Sequence, residues 1–307
     1  MSTPDAPNLA PESNADRIVA VPVRHYGRWL GGAAVLLLLL DLGFAVARNK
    51  NFKFGLVPHY LFDPVILTGL KTTLELTVIA MAVAIGLGVI AAVFRLSPNP
   101  VLKATSGTYI WFFRGTPVLV QLIFWFNLGI IFPRIRLGIP FTDLTLWSAP
   151  TNDAIRPLTA AILGLGLNEG AYVAEIVRAG IISVGKGQTD AAAALGMRRS
   201  AVMRRVVLPQ AVPVVIPPMG NEFIGMLKYS ALASVIAVEE LLGSVERIYS
   251  TNLRTLELLV VASIWYLACT TALTIGQHYL ERYVGRSRAT PQATAGWRIW
   301  TLRRAAH

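Results

Sequence analysis

GQTDAAAALGMRRSAVMRRVVLPQA occupies Gly187–Ala211, between two strongly apolar runs. Asp190 ahead of four alanines and Leu195 reads as a helix start: an acid near the positive end, followed by strong helix formers. Gly196 then permits a backbone conformation that other residues resist, so a sharp turn is expected there. A second amphipathic stretch follows, with Val202, Val206 and Leu208 interleaved with arginines, and Pro209 is expected to stop it. The expectation is two short helices joined by a turn, in a loop whose basic residues are Arg178, Lys186, Arg198, Arg199, Arg204 and Arg205.

Outward from this loop the chain is a series of apolar runs, near 29–47, 72–94, 107–131, 157–177, 210–238 and 256–280. Each approaches the roughly 20 residues needed to cross a bilayer. Pro209, Pro213, Pro217 and Pro218 crowd the fifth run, so it reads as a bent helix or two shorter ones. The first run, with basic residues before it and Ala45-Val46-Ala47 behind, also fits a cleaved secretory signal. About 28 residues precede its apolar part and Asp41 interrupts it, so it reads as an uncleaved span, with the signal as the alternative. Residues 1–28, rich in Pro, Ala, Asn and charge, read as a disordered tail.

The whole chain agrees with the runs. Of 307 residues 54% are hydrophobic and 15% charged, against about a quarter charged in soluble domains. Mean hydropathy is +0.55. Net charge is +11, which in a membrane protein reflects basic loops held on the cytoplasmic side, so no nucleic acid is expected. With the N-terminus inside, the inner segments carry 17 Lys and Arg and the outer ones 9. That bias places both termini and the 178–209 loop in the cytoplasm. The fold class expected is all-α, a polytopic transmembrane bundle of five core helices plus one extra N-terminal span. Its parts are a cytoplasmic tail 1–28, a span and outer loop 29–64, a core 65–282 and a basic cytoplasmic tail 283–307. No internal repeat is visible, which weakens a carrier built from two matching halves.

The loop resembles the coupling loop of ABC importer permeases, in which an acid-Ala-Ala helix precedes a glycine and a later Leu-Pro. Asp190, Ala191, Ala192 and Gly196 match that motif, with Arg199, Leu208 and Pro209 in the same segment, about 183–209. Asp190 stands where the family usually has Glu. FRGTP at Phe113–Pro117 with Gln121-Leu122, GAYVAEIVRAGI at Gly170–Ile181, PPMGNEFIGMLKYSALASVI at Pro217–Ile236 and Glu239-Glu240-Leu241 are similar to the polar amino acid branch. Pro213 replaces a frequent Arg, and Tyr229, Ser230 and Ala231 replace a more usual polar triplet. The resemblance implies a multi-pass permease in the bacterial cytoplasmic membrane that imports a polar amino acid. It also implies two ATPase subunits docked on the loops, an extracytoplasmic substrate-binding protein and a second permease chain, identical or homologous.

Charged groups at membrane depth are functional candidates by default. Glu169, beside Asn168 and Gly170, reads equally as a substrate contact or as a helix–helix hydrogen-bonding group. Glu222 and Lys228 lie in the fifth run. Thr116, Asn168, Asn221, Ser230 and Ser234 are further candidates for a pathway, against the commoner role of such residues as glue between helices. Arg114 and Lys228 read as partners for acids or as side chains reaching an interface. Glu175 reads as an internal salt bridge or loop anchor. No phosphate-binding G-x-x-x-x-G-K-[ST] motif occurs, so ATP hydrolysis is expected on a separate chain. No catalytic residue, metal site or cofactor is expected: Cys269 is single, and His25, His59, His278 and His307 are scattered. The alternatives are an ion-coupled secondary transporter of small polar solutes and a membrane scaffold that moves nothing.

Overall fold

The computed structural model describes residues 26–48, 52, 53, 55–138 and 145–285; the expected tails lie almost wholly outside them. The chain divides into two compact units, with the division after Phe52. In the first, α1 (Tyr26–Ala47) is a single apolar helix carrying Leu36–Leu40 and Asp41. Arg48 closes its end, its guanidinium 4.2 Å above the Phe44 ring.

The second unit begins with α2 (Leu56–Leu61) and α3 (Pro64–Leu96), and α4 (Pro100–Gly115) follows. The starts of α3 and α4 share one grammar. Asp63 accepts from Val65 N–H and Asn99 from Val101 N–H, each with proline at the first helical position, where a missing N–H is harmless. Then come α5 (Val118–Phe126) and α6 (Leu128–Ile131). The run read as one span over 107–131 is therefore broken: α4 and α5 meet at 102°. Pro117 sits at the break, where it has no N–H to continue α4.

An antiparallel hairpin, β1 (Arg134–Gly138) and β2 (Thr145–Pro150), fills part of the 132–156 loop, a local addition to the helical bundle that the hydrophobic runs do not signal. After α7 (Thr151–Ala154), α8 (Pro157–Ile182) packs along α3. Small residues permit the approach. A Cβ on Gly166 would stand 2.9 Å from Val83 Cγ1, and one on Gly88 would overlap the Val173 side chain. Leu76, Met81, Leu122, Leu165, Val173 and Met226 form the central core.

The loop after α8 folds as α9 (Lys186–Ala194) and α10 (Arg199–Val202). Helix α9 begins four residues before Asp190, because Gly185 turns the chain there in an extended conformation. It ends as expected. Gly196 has φ +76°, its N–H bonds Ala193 O, and Met197 N–H bonds Ala192 O, which is the Schellman pattern. Pro209 does not stop the second helix. A π-helical turn at Met203–Val207 leads straight into α11 (Leu208–Tyr229), with Pro209 in the first turn. The widened turn moves the chain off the α register just where the proline could not donate.

The fifth run is thus α11 with Pro213, Pro217 and Pro218 inside it, closed by a 3-10 segment at Ser230–Ile236. A left-handed Ala237 then redirects the chain into α12 (Leu241–Asn252), and α13 (Thr255–Gly285) completes the unit. Among the described residues, α3, α8 and α13 are each long and apolar enough to cross a membrane, and the bent α4–α5 pair reaches that length only taken together, as a broken span or a re-entrant loop. At the start of α12 Glu240 is fully buried. It accepts from Leu242 and Gly243 N–H, Thr73 Oγ1 and Tyr266 Oη, joining α12 to α3 and α13.

Candidate functional site

The break between α4 and α5 borders a polar cavity. Pro117 leaves the carbonyl of Phe113 without its α-helical donor. Two side chains replace it: Gln121 Nε2 at 3.0 Å and Asn168 Nδ2, from α8, at 2.7 Å. Gln121 also donates to Thr116 O and Oγ1. Backbone bent at membrane depth is tolerated only with such internal partners. Asn168 is therefore held as a bridge between helices on its donor side.

Beside the break lies a cavity of about 540 Å³ whose lining includes Arg114, Thr116, Asn168, Glu169, Tyr172 and Glu222. Glu169 is 3% exposed, and its Oε1 has no hydrogen-bond partner. The Glu222 carboxyl, from α11, stands against it. Arg114 lies across the site with its guanidinium 5.0 Å from the centre of the Tyr172 ring. Among the described residues Arg114 forms no ion pair with an acid. Two carboxyls and one unpaired guanidinium thus line one space, with a buried oxygen lacking a donor.

Four of the eight pathway candidates, Thr116, Asn168, Glu169 and Glu222, line this cavity. The other four do not. Asn221 Oδ1 accepts from Gln277 on α13, and Ser230 Oγ donates back to Leu227 O at the end of α11. Ser234 lies beside Gly243, and Lys228 is exposed. Arg114, Tyr172 and Tyr229 also line the cavity and were not among the pathway candidates. The arginine immediately before Gly-Thr-Pro was the available signal. Glu175 bonds Arg178 at 2.6 Å, the internal salt bridge foreseen for it.

The 183–209 loop forms a second site. Ala192 is buried with Val184, Val202, Val207 and Ala211, and this small core fixes α9 against the base of α11. Asp190, Ala191, Gly196 and Arg199 face outward, and Leu195 at the turn is 83% exposed. Leu208 is partly exposed and Pro209 exposed. The loop is thus a two-helix hook with Leu195 exposed at its turn.

Residues 84–286 match the family described as binding-protein-dependent transport system inner membrane component, and the chain belongs to that family. The arginine transport system permease protein ArgU of Corynebacterium glutamicum is 43% identical over 267 residues, which is 87% of this chain and 83% of that one. The glutamine transport system permease protein GlnP of Escherichia coli is 33% identical over 71% of this chain and 92% of its own. Among solved structures, an amino acid ABC transporter with histidines is 35% identical with a TM-score of 0.62, covering 72% of this chain and 95% of that one.

Proposed function

We propose that this chain is the permease of an ATP-driven importer whose cargo is an amino acid with a basic side chain. The observation that carries the cargo class is the charge set of the α4–α8–α11 cavity. Glu169 and Glu222 face a cavity that Arg114 also lines, and a basic amino acid offers a carboxylate to Arg114 and cations to the carboxyl pair. An acidic amino acid would bring like charges together beside that carboxyl pair. The arginine permease and the histidine-containing transporter among the similar proteins support the same class.

The pore would be a pair of such chains, identical or homologous, fed by an extracytoplasmic binding protein. With both termini in the cytoplasm, the loop carrying Asp190, Ala191, Ala192, Gly196, Arg199, Leu208 and Pro209 meets one ATPase subunit below each permease. Closing the ATPase pair would move both hooks, and with them α8 and α11, which contribute Glu169 and Glu222 to the cavity. Residues 65–282 suffice for this device, and α1 is an addition to it.

The test is a screen of amino acids for stimulated ATP hydrolysis by the purified permease–ATPase complex with its binding protein. Arginine, lysine or protonated histidine should stimulate most. Strongest stimulation by glutamate or aspartate would overturn the cargo assignment.

A further inference from the structure

A second cavity, of about 650 Å³, opens where the ends of α3 and α8 meet the start of α11. Val93, Leu96, Ile181, Met203, Leu208 and Val212 are among its walls, and Ser97 is the one polar residue among the described residues that line it. An amino acid would find no partner for either charge there. The groove is open on its flank: Val93 is 56% exposed and Val212 46%. It continues an exposed apolar stripe on α3 through Val78, Ile85 and Val89, at the spacing of one helix face. In an inner-membrane component such a stripe meets lipid tails or another span.

The rim decides between them. Arg204 and Arg205 follow Met203 directly in the π-helical turn, and Arg204 stands four residues before Leu208 on the same side of the helix. Both are exposed, and neither forms an ion pair among the described residues. An apolar slot below unpaired arginines complements one kind of molecule.

We propose that this groove seats an acyl chain of an anionic phospholipid from the cytoplasmic leaflet, its phosphate held by Arg204 and Arg205. The inference rests on the orientation given above, in which the loop is cytoplasmic. It ties a lipid to the junction of the docking hook and α11, the point through which any movement of the loop must pass.

The experiment uses the permease–ATPase complex in nanodiscs doped with phosphatidylglycerol or phosphatidylcholine bearing the same photoactivatable tail. Phosphatidylglycerol should label peptides containing Met203 and Val212 more heavily than phosphatidylcholine, by roughly fivefold per arginine engaged. Val212→Trp should fill the slot and abolish labelling. Should that variant fail to assemble, Arg204→Gln with Arg205→Gln, both on exposed positions, should reduce phosphatidylglycerol labelling to the phosphatidylcholine level. Equal labelling by the two lipids, labelling that survives Val212→Trp, or a disulfide joining two copies through Val93→Cys would overturn the proposal. Reaction of Asp190→Cys with an impermeant reagent from outside intact cells would instead overturn the orientation, leaving the groove measurement to stand by itself.

Discussion

Glu169 brings a carboxyl into the bundle with one oxygen lacking a partner, so its replacement should read out directly on ligand. Glu169→Gln keeps the shape and removes the ionisable carboxyl. Binding of arginine to the purified complex, followed by calorimetry, should weaken by roughly 30-fold or more; unchanged affinity would remove this residue from the pathway. Gly196 tests the loop. A Cβ there would meet nothing within 4 Å, so only the left-handed backbone resists substitution, at about 1–2 kcal/mol. Gly196→Val should abolish uptake and weaken ATPase co-purification while membrane insertion stays normal. Gly196→Asn, which tolerates that conformation, should keep most of both. The glycine was legible in the sequence because a helix cap needs a particular residue type. The cavity set was legible only by half. Burial and partners separate Glu169 from Asn221 and Ser230, and residue type alone carries neither.

At the scale of elements, the helices were legible through hydrophobic runs, and the breaks less so. The 107–131 run is apolar throughout, yet Pro117 folds it through 102°, and the carbonyl it strands is rescued by Asn168, 55 residues away. Nothing local announces such a partner. Packing of α3 on α8 makes a paired prediction. Gly88→Ala, whose Cβ would overlap Val173, should lower thermal stability in detergent by about 1–3 kcal/mol. Gly86→Ala on the same helix meets nothing within 4 Å and should be neutral or slightly stabilising. Glu240, outside the spans, makes a pH prediction. Burial pushes its carboxyl above the ordinary 4.5, against the opposing pull of the Gly243 and Leu242 N–H groups and the Tyr266 and Thr73 hydroxyls. A carboxyl that holds its proton more tightly when folded favours folding at low pH. That contribution is lost as pH rises from 4.5 through the raised value. Unfolding followed across that window should show a slope in the wild type that Glu240→Gln removes; identical slopes would deny the residue this role.

The whole molecule divides its labour between two places. A bundle of apolar helices carries a polar cavity near its middle and a stiff hook at one end, and the chain has no phosphate-binding motif of its own. On the proposed function, the energy arrives by contact, through the hook. The most direct measurement is uptake of labelled arginine into proteoliposomes holding the permease and ATPase, with binding protein outside and ATP enclosed. The account predicts uptake that requires enclosed ATP, ignores collapsed ion gradients and disappears with Gly196→Val. Uptake driven by an ion gradient without ATP, or unaffected by that substitution, would contradict it.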